Sequence, residues 1–158
     1  MVCLGQNARA VAPLEITSHA FEDGGAIPRR NTCDGENVSP PLSFTDPPEG
    51  TRSLALVVDD PDAPVGTFVH WLGWGIEPAA GGLEEGRAAP REGRNGFGTV
   101  GYAGPCPPPG HGRHRYFFRL HALDAELDLE PGAEPDELER ALDGHVLEVA
   151  ELVGGYER

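Results

Sequence analysis

Asp60 and Asp62 stand in a DPDAP run, Asp60 to Pro64, directly after an apolar stretch. An apolar strand that delivers two carboxylates to a proline-stiffened turn can build the rim of a pocket. The same residues can serve only as Asx-type turn caps for backbone N–H groups. His70 lies inside FVHWLGW, beside Phe68, Trp71 and Trp74, as a satisfied half-buried imidazole or as a site residue. The third feature is GYAGPCPPPGHGRHRYFF, residues 101–118. Its glycines, Gly101, Gly104, Gly110 and Gly112, permit unusual backbone angles, while Pro105 and Pro107 to Pro109 fix the chain between them. A loop held in one shape suits presentation of backbone N–H groups to an anion. It then delivers His114 and Tyr116, two residues apart, to one face of the next strand.

Other chemistries fit less well. His70, His111 and His114 offer three nitrogen ligands for a metal, but their Gly-rich spacing is not helical and His111 sits at a loop tip. Four serines are present, none in GxSxG. Cys106 and His114 would make a thiol–imidazole pair, yet prolines on both sides of the cysteine suggest a positioned thiol and not a nucleophile. No GxGxxG joins a strand to a helix, so a dinucleotide fold has no support. All 12 cationic residues are arginine, which removes every lysine-dependent mechanism.

Several elements must position these groups. An apolar alternation from Leu14 to Phe21 predicts a first strand, and residues 31–50 predict an ordered loop or bent edge strand. Ser53 to Val58, Phe68 to Ile76 and Tyr116 to Leu123 read as the three strong strands. In the last, Tyr116, Phe118 and Leu120 share one face, and Arg119 and His121 the other. Ala79 to Gly96, rich in Gly, Glu and Arg, reads as the most mobile connection. Pro135 at a first helical turn, followed by Asp136 and Glu137, starts a helix whose stripe is Leu138, Ala141 and Leu142, with Gly144 as terminator. Val146 to Val153 continues as a second apolar stripe, closed by Gly154 and Gly155. Strands over four fifths of the chain and helix at the end predict a mainly β fold: sheet packed on sheet, with one or two short C-terminal α-helices.

At 158 residues the chain suits a single domain, residues 1–158, with residues 1–13 as a loosely attached lead. Asp and Glu number 26, for a net charge of −14, which argues against nucleic-acid and anionic-membrane surfaces. The 22 Gly and 16 Pro make it loop-rich, while 39% hydrophobic content keeps it globular. No stretch reaches the ~20 apolar residues of a membrane span, and the start lacks a basic region followed by an apolar run. A soluble chain that stays in the cytoplasm is expected. Three cysteines without a CxxC pair build neither a disulfide framework nor a structural zinc site.

NTCDGENVSPPLSF, DPDAP, FVHW, GFGTVGYAGPCPPPG, HRYFFRLHALD and GHVLEVAEL, in this order and spacing, resemble the phosphatidylethanolamine-binding protein family. The likeness is to its bacterial and archaeal, Raf-kinase-inhibitor-like branch, and runs from about Phe21 to Arg158. The resemblance implies a β-sandwich of two antiparallel sheets with C-terminal helices, and a small cavity for phosphate-like anions. Carried over by position, the pocket comprises Asp60, Asp62, Pro64, His70, Trp71, Gly104, Pro105, Pro107, Pro108, His114 and Tyr116. It also implies a phosphate-bearing small molecule or phospholipid head group as ligand. Since no metal, activated nucleophile or cofactor motif accompanies the two carboxylates and two histidines, binding without turnover is expected. By analogy alone, a kinase or protease is a protein partner, and a homodimer stays open. Prokaryotic members lack the longer segments used in kinase regulation, so Raf inhibition is not carried over. The alternative class is a phosphoester or peptide-bond hydrolase using Asp60, His70 and His114. Finally, the resemblance places Cys33 and Cys106 near the sheet ends, as thiols in a reducing cytoplasm that are open to disulfide formation in air.

Overall fold

The computed structural model describes residues 12–158. Of the N-terminal lead, only Ala12 and Pro13 fall within them. Two antiparallel sheets are built from eight strands: β1 (Ile16–Thr17), β2 (Leu42–Phe44), β3 (Ser53–Asp60), β4 (Phe68–Ile76), β5 (Gly82–Leu83), β6 (Arg91–Glu92), β7 (His114–Leu123) and β8 (Val146–Tyr156). The smaller sheet has the order β1-β2-β5, and the larger the order β6-β4-β3-β7-β8. The one α-helix among the described residues, α1 (Pro135–Leu142), lies between β7 and β8 in the chain.

Alternation along the central strands decides what each face of the large sheet covers. Leu54, Leu56 and Val58 of β3 with Tyr116, Phe118 and Leu120 of β7 point toward the small sheet, where Ile16, Leu42 and Phe44 meet them in the main core. Ala55, Leu72, Trp74 and Leu123 point the other way and are covered by Leu138 and Leu142 of α1 in a second apolar cluster. Helix α1 begins as its sequence predicts: Pro135 takes the first position, and the Glu137 carboxylate accepts the Glu134 backbone N–H at 2.8 Å in a capping box.

Three expectations change. The stripe from Val146 to Val153 is not a second helix but most of β8, paired with β7 from His114↔Tyr156 to Leu123↔Val146. Apolar residues at 146, 147, 149, 150, 152 and 153 satisfy either period. The free edge of β7 and three β-branched valines between 146 and 153 settle it as strand. Gly154 and Gly155 do not end the element. A side chain at Gly154 would press on Ile27 and Phe21 at 2.6–2.7 Å, so glycine there serves close packing. The first strand shortens to Ile16–Thr17. The connection Ala79 to Gly96 is pinned twice, by β5 to the small sheet and by β6 to the large one.

A candidate anion cavity at the ends of β3, β4 and β7

The core face of the large sheet continues past its apolar part. Asp60 follows Val58 on β3, and His114 precedes Tyr116 on β7, all on that face. His70 reaches the same side through a β-bulge. The β3–β4 register moves from Val58↔Trp71 to Asp59↔Val69, which leaves His70 as the extra residue. Its ring then lies 5.2 Å from that of Tyr116 and 5.1 Å from that of Phe68. The result is a cavity of about 230 Å³ lined by Asp60, Ala63, Pro64, Val65, Phe68, His70, Phe97, Cys106, Pro107, Pro108, His114 and Tyr116.

Its polar groups are few and committed. His114 Nδ1–H donates to Asp60 Oδ2 at 2.6 Å, with both side chains almost fully buried. The other oxygen, Asp60 Oδ1, accepts the Asp62 backbone N–H at 2.7 Å. His70 Nδ1 donates to the Ala103 carbonyl at 2.6 Å, which leaves Nε2 as the acceptor of a neutral ring. Burial pushes the His70 pKa below its ordinary value, against the opposing effect of the Ala103 hydrogen bond. Tyr116 is pushed up, first by burial and then by the Asp60 charge, so its hydroxyl remains a donor. No arginine lines the cavity.

The eleven residues expected at the pocket divide into two groups. Asp60, Pro64, His70, Pro107, Pro108, His114 and Tyr116 line the cavity together. Asp62, Trp71, Gly104 and Pro105 do not. Asp62 turns outward, where hydrogen bonds from the Arg115 guanidinium lower its carboxyl to about 2, and it also accepts the Arg115 backbone N–H. Trp71 packs edge-on to Tyr102 at 5.3 Å and donates Nε1–H to Glu92, and it is not part of the cavity wall. Gly104 donates its N–H to Asn37 Oδ1, and the Pro105 carbonyl accepts the Cys33 N–H, so both serve to seat the loop on residues 31–37.

Two other backbone donors of the same loop are already paired. Gly110 N–H goes to the Arg158 carbonyl and His111 N–H to that of Pro108, while its prolines have none to offer. Cys106 is joined to Cys33 with alpha carbons 5.4 Å apart, so the two cysteines meet and the structure holds the disulfide that was left open for them. Among the described residues, no group of three or more His, Cys, Asp or Glu side chains is placed to hold a metal, and His70, His111 and His114 do not gather as one.

Five wall residues, Ala63, Val65, Phe68, Phe97 and Cys106, were absent from the sequence-based set. A signal existed for one of them. Phe97 is a lone aromatic between Gly96 and Gly98, and it remains 52% exposed at the mouth. His111, set aside as a metal ligand, touches His114 instead, Nδ1 to Nε2 at 2.6 Å.

Comparison with known proteins bears on this arrangement. The family model described as phosphatidylethanolamine-binding protein matches residues 17–157. A protein called UPF0098 protein from Methanothermobacter thermautotrophicus is 52% identical, over 92% of this chain and 99% of its own. One of the same description from Aquifex aeolicus is 46% identical, over 93% and 90%. Among solved structures, the homolog CT736 of Chlamydia trachomatis superposes with a TM-score of 0.89 at 40% identity, covering 94% of this chain and 99% of that one. Escherichia coli YbcL, described as a new member of the mammalian family, follows with a TM-score of 0.87 at 29% identity, covering 93% and 99%. The two-sheet fold and the DPDAP and HRY segments that meet at its strand ends thus lie within the span of one family model, and the chain belongs to the phosphatidylethanolamine-binding protein family.

Proposed function

We propose that the chain binds a small ligand through a phosphate-type head group in the Asp60–His70–His114–Tyr116 cavity, without turning it over. The observation that carries this reading is the buried Asp60–His114 pair, facing the His70 ring and the Tyr116 phenol across an otherwise apolar space. The volume of about 230 Å³ is below the roughly 300 Å³ at which sites for drug-sized ligands begin, which suits a head group. Its wall contains no serine or threonine, and its one cysteine is bound in the disulfide, so no serine, threonine or cysteine nucleophile is at hand.

A dianion beside Asp60 would be repelled unless protons arrive with it. Neutral His70 Nε2 can accept from a P–OH, and the Tyr116 hydroxyl can donate to a phosphate oxygen, so the singly charged ester suits the site best. Affinity should therefore rise as pH falls from about 8 towards 6.

Calorimetric titration with inorganic phosphate, phosphoethanolamine and glycerol phosphate between pH 8 and 6, followed for product release, tests the reading. Saturable binding without release supports it. Release of product would instead assign the oriented Asp60–His114 pair to general-base catalysis and make the protein a phosphoesterase. No binding of any of the three compounds would end the proposal.

A further inference from the structure

His111 lies at the tip of the 101–118 loop and does not line the cavity, yet its imidazole completes a hydrogen-bonded chain with two groups that do. The order is Asp60 Oδ2, His114 Nδ1, His114 Nε2, His111 Nδ1, with 2.6 Å at each contact. His114 is buried, whereas His111 is exposed between Gly110 and Gly112, whose φ values of 78° and 91° fold the tip back. A Cβ at either glycine would meet nothing within 4 Å, so the turn serves conformation and not packing.

A hydrogen bond between two nitrogens holds one proton. With Asp60 ionised and His114 donating Nδ1–H to it, His114 Nε2 accepts from His111 Nδ1–H. The chain then carries a net charge of −1 and has one open acceptor, His111 Nε2, on an exposed ring. One further proton there makes an imidazolium–imidazole pair and brings Asp60, His114 and His111 to neutrality.

We propose that His111 is a ligand-positioning residue of this cavity, the group that takes up the proton accompanying an anionic ligand and presents its charge through His114. The proposal rests on the anion-binding reading above. The competing acceptors are less suited. Burial disfavours a second proton on His70, whose Nε2 is left to accept from the ligand, and Asp60 already accepts two hydrogen bonds. Tyr116 of β7 is already protonated, and Asp62 in the turn after β3 is tied to Arg115. The nearby cations are constant across this pH range. Arg113 is held by the carbonyls of Gly24 and Gly25, and Arg158, whose carbonyl accepts Gly110 N–H, pairs with Asp34.

The experiment is titration of the full chain with phosphoethanolamine and inorganic phosphate at pH 8, 7 and 6, in two buffers of different ionisation enthalpy so that protons are counted. In the wild type, uptake approaching one proton and an affinity gain of up to about tenfold per pH unit are expected. His111→Gln can still hydrogen-bond His114 Nε2 but cannot titrate. It should lose more than half of the uptake, and its loss of affinity at pH 6 should exceed that at pH 8 several-fold. His111→Arg supplies a permanent charge and should keep only the pH dependence that comes from the ligand's own titration. The ligand's own titration near pH 6 is common to all three proteins and cancels. Wild-type proton uptake retained in His111→Gln would overturn the role of His111 while leaving the cavity reading intact. Absence of binding by the wild type at every pH would overturn both.

Discussion

His70 makes a measurable link between the cavity and stability. Its ring is 3% exposed, donates to the Ala103 carbonyl, and lies 5.1, 5.2 and 5.9 Å from the rings of Phe68, Tyr116 and Phe97. His70→Asn keeps a side-chain donor near the Nδ1 position and removes both the ring and its titration. At pH 7.5 the lost ring contacts should cost about 2 kcal/mol, at the modest end for a buried aromatic because water can enter the open cavity. Burial lowers the folded pKa of His70 from 6.5, so the unfolded chain takes up the proton first as pH falls. Wild-type stability from this residue is therefore complete above about 6.5 and declines below it, by at most about 1.4 kcal/mol per pH unit, until the folded ring is itself protonated. His121, also lowered by burial, adds a decline of the same sign in both proteins and drops out of the difference. Urea denaturation at pH 7.5, 6.5 and 5.5, read by Trp71 and Trp74 fluorescence, should show the deficit of His70→Asn shrinking from about 2 kcal/mol to below about 1. A deficit that stays constant from pH 7.5 to 5.5 would refute the reasoning, because a ring with an unchanged pKa on folding contributes no slope.

The Cys33–Cys106 bond spans 73 residues, so its reduction should cost about 4 kcal/mol of chain entropy and lower Tm by about 8–16 °C; a melt unmoved by dithiol would contradict this. Gly104→Ala should cost about 2 kcal/mol or more, since the added methyl strikes the Asn31 carbonyl and the Thr32 backbone, and thermal melts with ligand titration would show both the instability and the displaced loop. Asp62→Ala removes a half-exposed pair with Arg115, so less than about 1 kcal/mol should be lost. Its phosphate affinity should change by less than about twofold, and a tenfold loss would return Asp62 to the site.

Local patterning carried much of the fold. Runs of apolar and β-branched residues mark β3, β4 and β7 within a residue or two, and Pro135 with its acidic first turn marks α1, because these signals depend on neighbours three or four positions away. The types of side chain at the cavity were legible for the same reason: Asp60 ends one strand, and His114 and Tyr116 share a face of another. Residues whose role depends on a distant partner were not. Val146 to Val153 becomes a strand because β7 offers an open edge, and His70 turns inward because β4 bulges against β3. Asp62 leaves the pocket for Arg115, 53 residues away, and Trp71 leaves it for Glu92, 21 away. His111 enters the reading only because a glycine-bracketed turn returns its ring to His114. Hydrophobic period is a property of a segment, whereas a hydrogen bond between two side chains is a property of the folded surface that brings them within 3 Å, and only the tertiary structure chooses among the partners that composition leaves equivalent.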